Sequence, residues 1–119
     1  MGRKTKSLHR LARISLDLSA VESVAVLGEC MLELSAFDVK SPELKKLYFG
    51  GDTLNTAFYL ASSGQQVSYF TALGNDPQSH WMMRQWRKAG IDCSHVRNVA
   101  GRVPGLYMIE TDPAGERSF

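Results

Sequence analysis

The densest set of groups able to hold an oxygen-rich ligand is one short run, Gly50, Gly51, Asp52, Thr53, Leu54 and Asn55. The two glycines remove side chains where a backbone must approach a ligand closely. A helix beginning behind them presents unsatisfied N–H groups and a partial positive charge to oxygen-rich or anionic groups. Asp52 is a pure hydrogen-bond acceptor, whereas Asn55 both donates and accepts, so the pair suits the adjacent hydroxyls of a polyol. A tight strand-to-helix turn with a capping Asp explains the same Gly-Gly step without any ligand.

Other chemistry-bearing residues are more dispersed. Glu29 and Glu33 fall near the end of the first expected strand, where open α/β folds gather ligands, but solvated carboxylates are common there and neither is assigned a role. Cys30 and Cys93 are far apart in a chain without a secretory signal, which predicts free, buried thiols and no disulfide. His9, His80 and His95 form neither a Cys-x-x-Cys pairing nor an i, i+4 pair, so no structural zinc site is expected. Met82, Met83 and Trp86 recur at helical spacing and are expected to pack on a sheet. There is neither a Walker Gly-x4-Gly-Lys-[Ser/Thr] nor a Gly-x-Gly-x-x-Gly run.

The elements that must position these groups follow from patterning. Ser23 to Leu27 is a short, largely β-branched apolar run ending at Gly28, as in a buried strand, and Glu29 to Ser35 alternates imperfectly, continuing it with acidic residues on the wetter face. Ser41-Pro42 breaks the pattern, leaving Glu43 to Tyr48 as a connector. Ala57, Tyr59, Leu60 and Ala61 predict a helix behind the glycine pair, closed by Gly64. Val67 to Leu73 is the next strand, giving a right-handed parallel crossover. Asp76 is an N-cap with Pro77 at the first helical position, predicting a helix to about Ala89 and a stop at Gly90. Val103 to Thr111 reads as a strand, Asp112-Pro113-Ala114-Gly115 as a turn, and Glu116 to Phe119 as the start of a returning strand. The chain stops inside that hairpin, as expected of a domain cut short.

Size allows one domain, and the 44% hydrophobic and 22% charged shares over 119 residues are those of a globular protein. Charge or glycine interrupts every apolar run before it could span a bilayer, so no membrane partner is expected. The net charge of +2 is uneven: five Lys/Arg face one Asp in the first twenty residues, and the rest carries a net −2. The body lacks the electrostatic footprint of a nucleic-acid binder. Residues 1–22 form a basic leader with Leu8, Leu11, Ile14 and Leu18 at roughly helical spacing, read as a disordered, dispensable extension or an Arg-rich targeting segment. A cytoplasmic location is expected.

These residues also carry a resemblance. Gly50-Gly51-Asp52-Thr53-Leu54-Asn55-Thr56-Ala57, with Gly64 and Gly74 beyond it, resembles the N-terminal signature of PfkB carbohydrate kinases; Thr53 departs from the general pattern, which favours Gly, Ala or Pro. The narrower resemblance, over about residues 23–119, is to the 2-keto-3-deoxygluconate kinases, in Gly28-Glu29-Cys30-Met31, Glu33-Leu34-Ser35, Phe49 to Asn55, and Pro104-Gly105-Leu106-Tyr107 through Glu110-Thr111 to Gly115-Glu116-Arg117.

The resemblance implies an α/β ribokinase-like fold: a parallel sheet with flanking helices and a small β-lid, truncated here. It implies that Gly50 to Asn55 bind a small-molecule sugar acid, 2-keto-3-deoxygluconate. The strand of Tyr107, Met108 and Ile109 belongs to the lid over it. Tyr107 either stacks on or hydrogen-bonds the substrate, or is an ordinary lid aromatic or dimer contact; Met108 and Ile109 contribute mainly backbone and shape. For the full-length family it implies ATP and Mg²⁺, with phosphoryl transfer to the 6-hydroxyl and a base in a C-terminal Gly-Ala-Gly-Asp-like motif. That motif is absent from this sequence, so no catalytic residue and no cofactor are expected of this chain alone. The alternative is a non-catalytic sugar-acid binding module, or one that forms a homodimer through the lid.

Overall fold

The computed structural model describes residues 22–38, 41–112 and 114–119. The basic leader, apart from Glu22, and Pro113 of the expected turn lie outside the described residues.

Among the described residues, eleven elements follow in chain order: β1 (Val24–Leu27), β2 (Met31–Asp38), β3 (Ser41–Gly50), α1 (Asp52–Ser62), β4 (Val67–Phe70), β5 (Ala72–Leu73), α2 (Pro77–Lys88), β6 (Ile91–Asp92), β7 (Arg97–Asn98), β8 (Gly105–Thr111) and β9 (Arg117–Ser118). They form a parallel three-stranded sheet in the order β1-β4-β6, a parallel β5-β7 pair, and a four-stranded sheet in the order β3-β2-β8-β9. β1 lies directly beside β4 in parallel register, Val24 opposite Val67 and Leu27 opposite Phe70. The expected α/β architecture is therefore present, with a lid larger than the hairpin implied by the sequence.

Three local expectations are corrected. Glu43 to Tyr48 is no connector: it belongs to β3, which pairs antiparallel with β2 from Met31 opposite Gly50 out to Asp38 opposite Ser41. β3 is an edge strand, the place in a sheet where a proline is tolerated. Met31 to Asp38 does not extend β1; after Gly28 the chain leaves the parallel sheet and founds the lid. The single strand expected over residues 67–73 divides at Thr71, whose carbonyl accepts from Arg97 N–H at 2.9 Å as the chain turns from β1 and β6 toward β7.

Both helices have identifiable ends. At the start of α1, Gly51 has φ 139° and an added Cβ would lie 2.7 Å from the Glu29 carbonyl oxygen, so both conformation and space demand glycine. α1 closes in a Schellman pattern, with Gly64 N–H bonded to Ala61 O at 3.0 Å and Gln65 N–H to Leu60 O at 3.1 Å. α2 is capped by Asp76, whose carboxylate accepts from Ser79 N–H at 3.0 Å, and Pro77 takes the first helical position.

The core joins α1, α2 and the parallel sheet. Leu54, Ala57, Tyr69, Met82 and Trp86 have no exposed surface, and Val26, Val67, Leu73 and Ile91 close around them. Trp86 meets Tyr69 edge-on at 5.4 Å between ring centroids, and Phe49 brings the lid into the same aromatic cluster at 5.2 Å from Trp81 and 5.9 Å from Phe58. Burying a side chain such as Leu54 or Met82 contributes about 1.5–3 kcal/mol each, so this cluster ties the lid's base to the helices. Met82, Met83 and Trp86 occupy the packing role expected of them.

Candidate functional site

Between the N-terminus of α1 and one face of the lid is a cavity of about 550 Å³, lined by Met31, Glu33, Gly51, Asp52, Asn55, Tyr107, Ile109, Arg117 and Phe119. Strand pairing explains the lid side. Side chains on a strand alternate between faces, and Met31, Glu33 and Ser35 of β2 stand opposite Gly105, Tyr107 and Ile109 of β8, so Glu33 and Tyr107 emerge side by side. The Tyr107 hydroxyl donates to Glu33 Oε2 at 2.5 Å. Partial burial, then the hydrogen bond and charge of Glu33, push the Tyr107 phenol up to about 12.

The helix side is built by the turn at Gly51. The cap residue offers no side chain, and the first intrahelical bond runs from Asn55 N–H to Gly51 O at 2.8 Å. The orphan N–H groups of the first turn and the positive end of the helix therefore stand at the cavity wall, together with the Asp52 carboxylate and the Asn55 amide. The capping-Asp explanation for this turn fails: α1 has no side-chain cap, and Asp52 is its first residue.

Of the residues singled out by the sequence, Gly51, Asp52, Asn55, Tyr107 and Ile109 line this one cavity. Gly50 lies immediately beneath it, where an added Cβ would be 2.7 Å from the Tyr107 hydroxyl. Thr53, Leu54 and Met108 point elsewhere. Leu54 is buried in the core, Met108 is exposed on the opposite face of β8, and Thr53 Oγ1 donates to Glu29 O at 3.1 Å and lies 3.0 Å from the Tyr69 hydroxyl. Met31, Arg117 and Phe119 line the cavity without having been singled out, and Glu33 enters it although nothing in its local pattern ranks it above Glu29. The signal that could have found Glu33 and Met31 is their i, i+2 spacing on one strand, readable only once that strand is paired with β8. Arg117 supplies a cationic side chain at a wall that otherwise carries two carboxylates, Glu33 and Asp52.

Among the described residues, no group of three or more His, Cys, Asp or Glu side chains could hold a metal ion, and no helix is long and apolar enough to cross a membrane. Cys30 and Cys93 are buried and unpaired, and burial pushes the Cys30 thiol up to about 11.

Residues 21–119 match the model of the pfkB family carbohydrate kinases. The chain belongs to that family. A pfkB relative named 2-dehydro-3-deoxygluconokinase, from Escherichia coli K12, is 45% identical over 102 residues, covering 82% of this chain and 32% of its own length. This pfkB chain thus spans about a third of the curated relatives it matches. Among solved structures, the 2-dehydro-3-deoxygluconokinase of Thermotoga maritima aligns with a TM-score of 0.69 at 28% identity, over 76% of this chain and 28% of that one. A fructokinase of Xylella fastidiosa with bound ATP aligns at 0.70 and 20% identity, over 82% of this chain and 31% of that one, a likeness of fold.

Proposed function

We propose that residues 23–119 are the sugar-acid-binding part of a 2-keto-3-deoxygluconate kinase, with residues 1–22 a dispensable leader. The carrying observation is the cavity between α1 and the lid, which places hydroxyl-binding groups (Asp52, Asn55, Tyr107), the Glu33 carboxylate, a helix N-terminus and a cationic Arg117 around a space suited to one small molecule. Relatives of that name at 45% identity favour this substrate over other sugars of the family.

Binding is assigned by group chemistry. The Asp52 carboxylate accepts from the sugar's hydroxyls, Asn55 bridges a donor and an acceptor, and Arg117 with the helix N-terminus balances the ligand's carboxylate. Gly50 and Gly51 admit the ligand to the backbone. Leu54 supports the site from the core, and Thr53 fixes the turn.

Full-length members use ATP with Mg²⁺ on this proposal, in the cytoplasm. The residues present do not fit that group: the cavity wall carries two carboxylates that repel a triphosphate, no metal-holding cluster occurs among the described residues, and no Gly-Ala-Gly-Asp motif occurs in the sequence. No step of phosphoryl transfer is therefore assigned to this chain, which is inactive alone on this proposal.

The test is a calorimetric titration of the chain, without nucleotide, with 2-keto-3-deoxygluconate and in parallel with ribose. Saturable binding of the acid and weaker or no binding of ribose is expected. Failure of the acid to bind, or a preference for ribose, contradicts the assignment.

A second reading, a module that pairs with another copy through the lid, is favoured by Leu106 and Met108, which stand more than half exposed on the face turned away from the cavity. Sedimentation of the native chain and of Met108→Asp checks it: a dimer that the substitution dissociates supports pairing, and a native monomer rejects it.

A further inference from the structure

Glu33 and Tyr107 form a built pair. They are direct cross-strand neighbours on β2 and β8, their hydroxyl-to-carboxylate contact is 2.5 Å, and both face the cavity. The space for the pair is made by Gly50 on the other side of β2: a Cβ there would stand 2.7 Å from the Tyr107 hydroxyl and 3.4 Å from Glu33 Oε2. Any side chain at residue 50 would displace the phenol from the carboxylate. Three strands thus cooperate to fix one hydroxyl.

A phenol has a single proton. Here it is directed at Glu33, so toward the cavity Tyr107 offers only lone pairs. Given a sugar acid in this cavity, as assigned above, we propose that Glu33 is a positioning residue: it commits the Tyr107 proton, making the phenol an acceptor that reads a substrate hydroxyl and rejects a carboxylate or keto oxygen. The polarity of this wall is then set by a residue that need not touch the ligand, and the ligand's carboxylate is directed away from the pair.

The test uses the full chain carrying tyrosine labelled at the ring carbon bearing the hydroxyl, with Tyr107→Phe to assign its resonance. Glu33→Gln keeps the size and removes the charge. Its expected effect is a fall of about one unit or more in the Tyr107 titration midpoint, from about 12 in the native chain, with Tyr48, Tyr59 and Tyr69 unchanged as a control for folding. An unchanged midpoint overturns the pairing.

Affinity for 2-keto-3-deoxygluconate supplies the second readout. Glu33→Leu, which leaves the phenol proton without its acceptor, and Tyr107→Phe are each expected to weaken binding about tenfold, and the double variant by about the same factor, because Glu33 acts through Tyr107. A product of about a hundredfold means that the two act separately and overturns the positioning role. The loss on Tyr107→Phe is expected to be equal for the neutral methyl ester; a loss that disappears with the ester means that Tyr107 reads the carboxylate, and overturns hydroxyl recognition. If the native chain takes up no sugar acid, the proposed function and hydroxyl recognition fail together, and the tyrosine midpoint alone decides the pairing.

Discussion

Gly28 and Thr53 fit against each other so tightly that a Cβ added to Gly28 would lie 2.4 Å from both Cγ2 and Oγ1 of Thr53. Thr53 is the position where this chain departs from the general PfkB pattern, and its hydroxyl is spent on the backbone: it donates to Glu29 O and approaches the Tyr69 hydroxyl, which donates to the same carbonyl at 3.1 Å. The end of β1, the start of α1 and the buried Tyr69 are thereby locked together beneath the cavity.

Gly28→Ala is therefore expected to destabilise the chain by about 1–3 kcal/mol through overpacking, and Thr53→Ala to cost about 1–2 kcal/mol through lost hydrogen bonds. In urea denaturation the double variant should be more stable than the sum of the two losses, because Ala at residue 53 removes Cγ2 and Oγ1, the two atoms nearest the new Cβ, and leaves only its own Cβ at 2.7 Å to be accommodated.

Asp76→Ala is expected to cost about 1 kcal/mol by removing the α2 cap. Ser79→Ala should cost about 1–3 kcal/mol, since Ser79 is fully buried and its hydroxyl oxygen accepts from Gly74 N–H at 3.1 Å, leaving a buried donor without a partner. Thermal unfolding of the two variants ranks them.

Trp86→Ala should be the most damaging core substitution, by about 3–5 kcal/mol, because Trp86 is fully buried between Tyr69 and Phe49 and joins the helices to the lid. Loss of the cooperative unfolding transition is the readout.

Alkaline pH should weaken the fold. Cys30 and Tyr107 have pKa values raised to about 11 and about 12 from ordinary values of 9.0 and 10.0, so the folded chain binds more protons than the unfolded one in these intervals. Their contribution to stability is whole below about pH 9 and is lost as pH rises through 11 and 12. Urea midpoints measured at rising pH should fall across that window, and Cys30→Ala should flatten the lower part of it.

Much of the architecture was legible locally. Asp76-Pro77 with Gly90 marked α2, Gly51 marked the start of α1, and Asp112 marked the turn before β9: its carboxylate accepts from the N–H groups of Ala114 and Glu116, both at 2.9 Å. β3 escaped because a proline and paired lysines, Lys45 and Lys46, hide an edge strand whose partner supplies its regularity. The site was half legible for the same reason. Gly51, Asp52 and Asn55 declare themselves within one turn, but Glu33 becomes a site residue only through Tyr107, 74 positions away in the sequence. Thr53 and Leu54, adjacent to the binding groups in sequence, are turned away from the cavity by the helical rotation that brings Asp52 and Asn55 together.

The most direct test of the central assignment is a residue-resolved amide NMR titration of the chain with 2-keto-3-deoxygluconate. Saturable shifts concentrated at Gly51, Asp52, Asn55, Glu33, Tyr107 and Arg117, and abolished by Asp52→Ala with Asn55→Ala, are the predicted result. No saturable shift, or shifts that gather away from α1 and the lid, would contradict it.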